Sequence, residues 1–274
     1  MTTALVTDSG AQLPDALRDR YHVHVVPLTV VLDGEAHREG VDLTTSEFYE
    51  RLESGAEVTT AAPAPGEVLA VYEAAAAAGA TEILSVHIGS NTSGTIGAVK
   101  LAVSDSPVPV EVVDTGTASF AVACCVWAAG DVLAAGRPLA AAADAARTTA
   151  GEVGNVFIVG ALDLARRGGR LAAGVDDAGG LPVLALTGGE MRAVGRVTDV
   201  DAAMTAMTEL VRASAEGRAQ RVGVGDAVAA ELAGELEARL RALPEVVEIV
   251  RYDIGPSVGS HTGPGTVGAC FFPA

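Results

Sequence analysis

The segment EILSVHIGSNTSGT, residues 82–95, gives the clearest indication of the fold. Residues 82–88 predict a buried β-strand, and the hydroxyl-rich turn that follows predicts the start of a helix that runs to about Val103. A strand followed directly by a helix is the unit of a parallel sheet that is covered on both faces. Ligands of such sheets bind beyond the carboxyl ends of the strands, so this turn is also the first candidate site.

The same alternation extends through the first half of the chain. Residues 4–7, 22–32 and 110–113 predict further strands, the second of which closes with the turn Asp33-Gly34. The capping box that starts at Thr44, and prolines ahead of apolar runs, predict helices between these strands. We therefore predict an N-terminal α/β domain, residues 1–152, with a parallel sheet between helices.

The pattern changes in the second half. Residues 183–198 predict a β-hairpin around Gly188-Gly189, and further strands and helices are mixed with a glycine-rich loop at residues 255–265. This mixture predicts an α+β domain with a mixed sheet, residues 153–274.

Composition narrows the function classes. A formal net charge of -17 argues against nucleic acid and against anionic lipid surfaces as partners. The 3 cysteines, without regular spacing, indicate neither a disulfide framework nor a zinc site. The first ten residues lack the pattern of a signal peptide, and the longest apolar run, residues 118–129, is too short to cross a bilayer. We expect a cytoplasmic protein.

Three segments carry side chains that suit an anion. The turn at residues 89–95 joins a helix N-terminus to hydroxyls such as Ser93 and Thr95, although these residues could simply cap the helix. Residues 58–63 are read as a second hydroxyl-bearing turn, with Thr59 and Thr60, and helix capping is the alternative there too. His261 in the glycine-rich loop could bind an anion, act as a base or make a structural hydrogen bond.

Motifs of common enzymes are missing. Asn91 and Thr95 occupy the glycine positions that a G-x-S-x-G nucleophile turn would need around Ser93. The chain also has no G-x-x-x-x-G-K-[ST] sequence for a nucleotide. A serine hydrolase that uses Ser93 and His261 with an acid such as Asp114 stays open as an alternative to a binding protein.

Several short segments occur in a fixed order along the chain. They are Thr7-Asp8-Ser9, Val26-Pro27-Leu28, Gly40-Val41-Asp42, Thr59-Thr60, Ser93-Gly94-Thr95, Arg167-Gly168-Gly169-Arg170 and His261-Thr262-Gly263-Pro264-Gly265. No single segment is specific, but the ordered set is. Taken together, these segments resemble the DegV family of bacterial fatty-acid-binding proteins over essentially the whole chain.

The resemblance implies a carrier for a long-chain fatty acid, without bond-breaking chemistry or a cofactor of its own. It implies that Thr60, Ser93 and His261 bind the carboxylate, with Arg170 near the head group, and that a separate acyl kinase phosphorylates the bound acid. A lipid sensor without a kinase is the other binding-protein alternative. We expect supporting roles at the head-group site for Thr59, Gly94, Thr95 and Thr262, and partner docking at Arg196.

The sequence departs from the family pattern at two places. Ala61-Ala62 replaces the family's Ser-Gln after Thr60, which removes polar side chains beside that threonine. The segment at residues 172–181 is shorter than is typical, and Leu181 replaces a basic residue before a proline.

Overall fold

The computed structural model describes residues 2–175 and 179–274. Part of the shortened segment, residues 176–178, therefore lies outside the described residues. The strands are β1 (Thr3–Asp8), β2 (His24–Val26), β3 (Thr29–Leu32), β4 (Glu35–Arg38), β5 (Val58–Ala61), β6 (Glu82–His87), β7 (Val110–Asp114), β8 (Gly154–Ile158), β9 (Leu181–Thr187), β10 (Glu190–Val197), β11 (Gln220–Asp226), β12 (Val246–Asp253) and β13 (Val267–Pro273).

Helices connect most of these strands. The sequence predicted the capping box of the second helix, in which Thr44 and Glu47 bond each other's backbone N–H groups, and the structure confirms it. The helices are α1 (Asp15–Tyr21), α2 (Thr45–Glu53), α3 (Pro65–Ala77), α4 (Thr95–Val103), α5 (Phe120–Ala134), α6 (Leu139–Glu152), α7 (Leu162–Arg167), α8 (Val200–Ala215), α9 (Ala230–Arg241) and α10 (Pro256–Thr262).

The two predicted sheet types are both present. The N-terminal half contains a four-stranded parallel sheet in the order β2-β1-β6-β7. The C-terminal half contains a six-stranded sheet in the order β10-β9-β8-β13-β11-β12, in which only β11 and β12 pair in parallel. The fold class is α/β with a parallel and a mixed sheet, as predicted. The division after residue 152 stays a prediction.

The prediction of one strand over residues 22–32 is wrong. Pro27 lies between two short strands, β2 in the parallel sheet and β3 in a separate three-stranded sheet of order β4-β3-β5. A proline has no N–H for a sheet ladder, so the chain changes sheets there. His22 ends α1 with φ of 51° instead of entering a strand.

Two segments that were predicted to be a turn and a loop form regular secondary structure. Residues 58–61 form strand β5, which pairs with β3, rather than a turn. The glycine-rich segment contains α10, which begins at Pro256 and carries His261 in its last turn. The short helices α1 and α7 are further elements that the sequence reading missed.

A hydrophobic core joins the two halves. Phe120 of α5 stacks on Tyr252 of β12, with ring centroids 4.3 Å apart. Gly225 makes room for this pair, because a Cβ at that position would lie 2.1 Å from the Tyr252 ring. In the described ranges, no helix combines the length and the apolar character that a membrane crossing requires.

Candidate ligand site

A cavity of about 240 Å³ lies between one edge of the four-stranded parallel sheet and the six-stranded sheet. One side is formed by residues that follow the carboxyl ends of β6 and β7, among them Ile88 and Ala118. The other side is a face of the six-stranded sheet, where Phe157, Leu186 and Tyr252 contribute. The cavity is thus at the sheet edge where the parallel strands end, which is where ligands of such sheets bind.

Most of the cavity wall is apolar. Asn155 is a polar exception, but its side-chain amide is used by the backbone of Leu186, to which it donates at 3.1 Å and from which it accepts at 2.6 Å. The wall therefore suits a hydrocarbon chain. The apolar lining residues include Leu28, Ile88, Val156, Phe157, Leu186, Met191, Ile254, Val258 and Ala269.

The four side chains predicted to bind a carboxylate all line this cavity. Thr60 comes from β5, Ser93 from the turn before α4, Arg170 from the loop after α7 and His261 from the end of α10. Four segments that are distant in sequence therefore meet at one polar region.

Ser93 is oriented by its neighbour Thr95. The Ser93 Oγ lies 2.8 Å from the Thr95 Oγ1 and accepts a hydrogen bond from the Thr95 N–H at 3.2 Å. When the Thr95 hydroxyl also donates to this oxygen, the Ser93 proton is left to donate into the cavity. Thr95 is fully buried and does not line the cavity, so it touches the site only through Ser93, and a supporting role for it stays a prediction. The capping alternative is not realised, because Gly94 is the N-cap of α4 and no described side chain makes a cap hydrogen bond there; the Ser93–Thr95 bond joins residues two apart in the turn.

His261 is a mostly buried imidazole. Its Nδ1 atom is buried and makes no hydrogen bond to the described residues. Gly168 makes room for the ring, because a Cβ there would lie 2.3 Å from Nδ1. Burial, and then the positive charge of Arg170, lower the pKa of His261 to about 4. The ring is therefore neutral at pH 7 and has one N–H to donate.

Arg170 connects the polar region to the Ser93 turn. Its Nη2 donates to the carbonyl oxygen of Thr92 at 2.5 Å. The backbone of Arg170 is fixed by hydrogen bonds to Ala165 and Met191, at 3.0 Å and 2.7 Å. A guanidinium so placed can neutralise a bound carboxylate.

The other predicted supporting residues have different positions. Thr60 faces the cavity, whereas Thr59 lies on the opposite face of β5 and is exposed. Gly94 lines the cavity next to Ser93. Thr262 also lines it, but its hydroxyl donates to the Val258 carbonyl at 3.4 Å.

A second, more open cleft reaches the polar region from outside. It shares Thr60, Arg170 and His261 with the cavity. Its outer rim carries the acidic residues Glu53, Glu57 and Asp163, together with Arg167, and Thr59 also lines it. We refer to it as the outer cleft. The cavity and the outer cleft therefore adjoin at Thr60, Arg170 and His261.

The contacts of a serine hydrolase are not formed. Ser93 bonds Thr95, as described, and the Asp114 carboxylate accepts from the N–H groups of Ser90 and Gly116, both at 3.1 Å. Among the described residues, neither a Ser93–His261 nor a His261–Asp114 hydrogen bond is present. The described residues also contain no cluster of His, Cys, Asp and Glu that could hold a metal ion.

Arg196 lines neither the cavity nor the outer cleft. It is half-buried on β10, next to a bulge, and its Nη2 donates to the Val175 carbonyl.

The apolar wall of the cavity was not predicted from the sequence, because its residues come from alternating positions of several strands and loops. Inward-facing positions of β8, β9 and β12 are the signal that could have identified them.

Comparison with known proteins identifies the family. The model of uncharacterised proteins of the DegV family matches residues 2–274. The chain belongs to the DegV family. A DegV domain-containing protein of Streptomyces coelicolor is 35% identical over 270 residues, which cover 97% of this chain and 96% of that protein.

Solved structures of DegV proteins share the whole fold. A fatty-acid-binding DegV family protein from Thermus thermophilus is 34% identical, with a TM-score of 0.88 and 100% of both chains covered. DegV of Bacillus subtilis, described as a fatty acid binding protein, is 26% identical, with a TM-score of 0.88 and the same coverage. Fatty acid binding thus occurs in DegV proteins that share this chain's fold.

Proposed function

We propose that this protein binds a long-chain fatty acid and presents its carboxylate to a separate acyl kinase. The acyl chain would lie along the apolar wall, and the carboxylate would bind Thr60, Ser93, Arg170 and His261. The observation that carries the proposal is the meeting of these four side chains at one region of a mostly apolar cavity.

The energetics favour such a ligand. Each buried methylene contributes about 0.8 kcal/mol, so a long acyl chain supplies most of the affinity. A carboxylate, by contrast, is costly to bury unless it is paired and hydrogen-bonded. Hydroxyl and imidazole donors, together with the Arg170 guanidinium, offset that cost. The fatty acid binding of the Thermus thermophilus and Bacillus subtilis relatives supports the same assignment.

The outer cleft supports presentation to a partner. Thr60, Arg170 and His261 border both the cavity and the cleft, so a second protein could reach the carboxylate without removing the chain from its tunnel. We also propose that Arg196 contributes to docking, because a basic side chain of an acidic protein can steer a partner of matching potential.

The test is a two-step experiment. Lipid extracted from denatured, purified protein is analysed by mass spectrometry, and the loaded protein is then incubated with an acyl kinase and ATP. We expect about one fatty acid per chain and formation of an acyl phosphate, which Arg196→Ala slows without affecting lipid binding. Absence of bound lipid, with no binding on later addition, contradicts the proposal. Bound lipid that no kinase phosphorylates favours the lipid sensor, and ester hydrolysis by the protein favours the hydrolase.

A further inference from the structure

Glu39 is a buried carboxylate that does not line the cavity. It follows β4 and is 6% exposed. Its Oε2 accepts a hydrogen bond from the Ser9 hydroxyl at 2.5 Å, and its Oε1 accepts from the Ser257 N–H at 2.9 Å. Burying a carboxylate is expensive, so these bonds are needed for the side chain to occupy this position.

Its partner Ser257 belongs to the first turn of α10. The preceding N–H, that of Gly255, donates to the Gln12 side-chain oxygen, and Pro256 between them has no N–H. Two side chains from the N-terminal half, Gln12 and Glu39, therefore satisfy the backbone donors at the start of this helix. Tyr49 adds a third contact from that half, because its hydroxyl donates to the Ile254 carbonyl at 2.7 Å.

The far end of the same helix carries His261. Ser257 and His261 are four residues apart, which places both on one face of α10, and both line the cavity. A short helix moves as a unit, so the contact that fixes Ser257 also fixes the imidazole. We propose that Glu39 is a positioning residue, which holds α10 so that His261 meets the ligand carboxylate. This inference rests on the proposed function.

The proposed positioning role requires that residue 39 supply an oxygen that accepts a hydrogen bond from the Ser257 N–H. Burial raises the pKa of Glu39, while the hydrogen bonds from Ser9 and Ser257 oppose that shift. A glutamine at this position keeps an oxygen that can accept from the Ser257 N–H, whereas an alanine does not. Glu39→Gln is therefore the conservative variant, and Glu35→Ala, on the exposed start of β4, is the matched control.

The experiment compares a long-chain fatty acid with the alcohol of the same length. The alcohol shares the chain but lacks the carboxylate, so the ratio of the two affinities reports the head-group site alone. We expect Glu39→Ala to lower the acid-over-alcohol ratio about tenfold, the scale of a lost hydrogen bond to a charged group, while alcohol affinity is unchanged. Glu39→Gln should restore most of the ratio, and Glu35→Ala should leave it as in the wild type. Glu39→Asp, which keeps the charge but shortens the side chain, is a second variant that should lower the ratio less, if Glu39→Ala fails to fold.

The His261→Ala background makes the test specific. If Glu39 acts through His261, adding Glu39→Ala to His261→Ala changes the ratio no further. Equal losses for acid and alcohol, or a full additional loss in the His261→Ala background, overturn the inference. A wild-type protein that binds the acid no better than the alcohol contradicts the proposed head-group site itself, and the inference with it. A wild-type preference that Glu39→Ala retains overturns the inference alone.

Discussion

The two ends of the cavity are built in different ways. The polar end is assembled from single side chains of β5, the α4 turn, the loop after α7 and α10. The apolar wall comes largely from one face of a continuous sheet, on which the ring of Tyr252 lies over Gly225. Under the proposed function, recognition of the head group would depend on the relative placement of distant segments, whereas affinity for the acyl chain would depend on the apolar area that it buries.

Blocking the apolar wall should have the largest effect. Ala118 lines the cavity and is half-buried, so Ala118→Trp would place a large ring in the space of the acyl chain. Exclusion of about four methylenes costs about 3 kcal/mol, which weakens fatty acid binding about 100-fold. Titration with a long-chain fatty acid measures the loss.

Ala140→Trp is the control, because Ala140 is exposed on α6. Its affinity should match that of the wild type. If Ala118→Trp also binds as the wild type does, the acyl chain does not follow this wall.

The pH dependence of stability tests whether His261, at the polar end of the cavity, is desolvated. The pKa of His261 is about 4 in the ligand-free folded protein and 6.5 in an unfolded chain. The unfolded chain therefore binds the proton first as the pH falls. The stability from the neutral ring is fully present above pH 6.5, and about 3 kcal/mol of it is lost as the pH falls from 6.5 to about 4.

Urea unfolding of the wild type and of His261→Gln across this range isolates the effect. The wild type should lose stability relative to the variant between these pH values. A bound fatty acid should reduce the difference, because its carboxylate favours the imidazolium. Parallel stability curves for the two ligand-free proteins would mean that His261 is not desolvated.

Removal of one head-group donor should have a smaller effect on affinity. Ser93→Ala removes a hydroxyl from the proposed carboxylate site, which costs about 1.5 kcal/mol, or about tenfold in affinity. The loss should appear for the acid and not for the alcohol of equal length. Ser104→Ala, at the exposed opposite end of α4, is the control and should bind both ligands normally. Equal affinity of Ser93→Ala and wild type for the acid would place the carboxylate elsewhere.

Replacing Tyr252, an aromatic residue of the apolar wall, should have the smallest effect on fatty acid affinity. Tyr252→Leu removes a ring that lines the cavity and stacks on Phe120. The space released should favour a longer acyl chain, by about 0.8 kcal/mol or about fourfold for each added methylene. A series of fatty acids of increasing length measures the optimum. An optimum identical to that of the wild type would show that Tyr252 does not limit chain length.

The polar end was predictable because its residues occur in short, ordered motifs. Thr60, Ser93, Arg170 and His261 were all identified from the sequence, and they line one cavity. Both sheet types were also predictable, since strand and helix patterns alternate in the first half and hairpins appear in the second.

Elements that depend on tertiary contacts were not predictable. Helix α10 spans only Pro256–Thr262 and contains Gly259, so its local propensity is poor. Hydrogen bonds from Gln12 and Glu39, far away in sequence, hold its start. Pro27 was a usable signal for the break between β2 and β3, and the sequence reading passed over it.

A crystal structure of the protein with a bound long-chain fatty acid would test whether the carboxylate binds at the polar end of the cavity and the acyl chain along its apolar wall. We expect the carboxylate oxygens within about 3.2 Å of the Ser93 hydroxyl and an imidazole nitrogen of His261. We also expect the hydrocarbon chain against Phe157, Leu186 and Tyr252. A carboxylate next to Tyr252 instead of Ser93 and His261, or a fatty acid bound outside this cavity, would contradict the proposed binding mode.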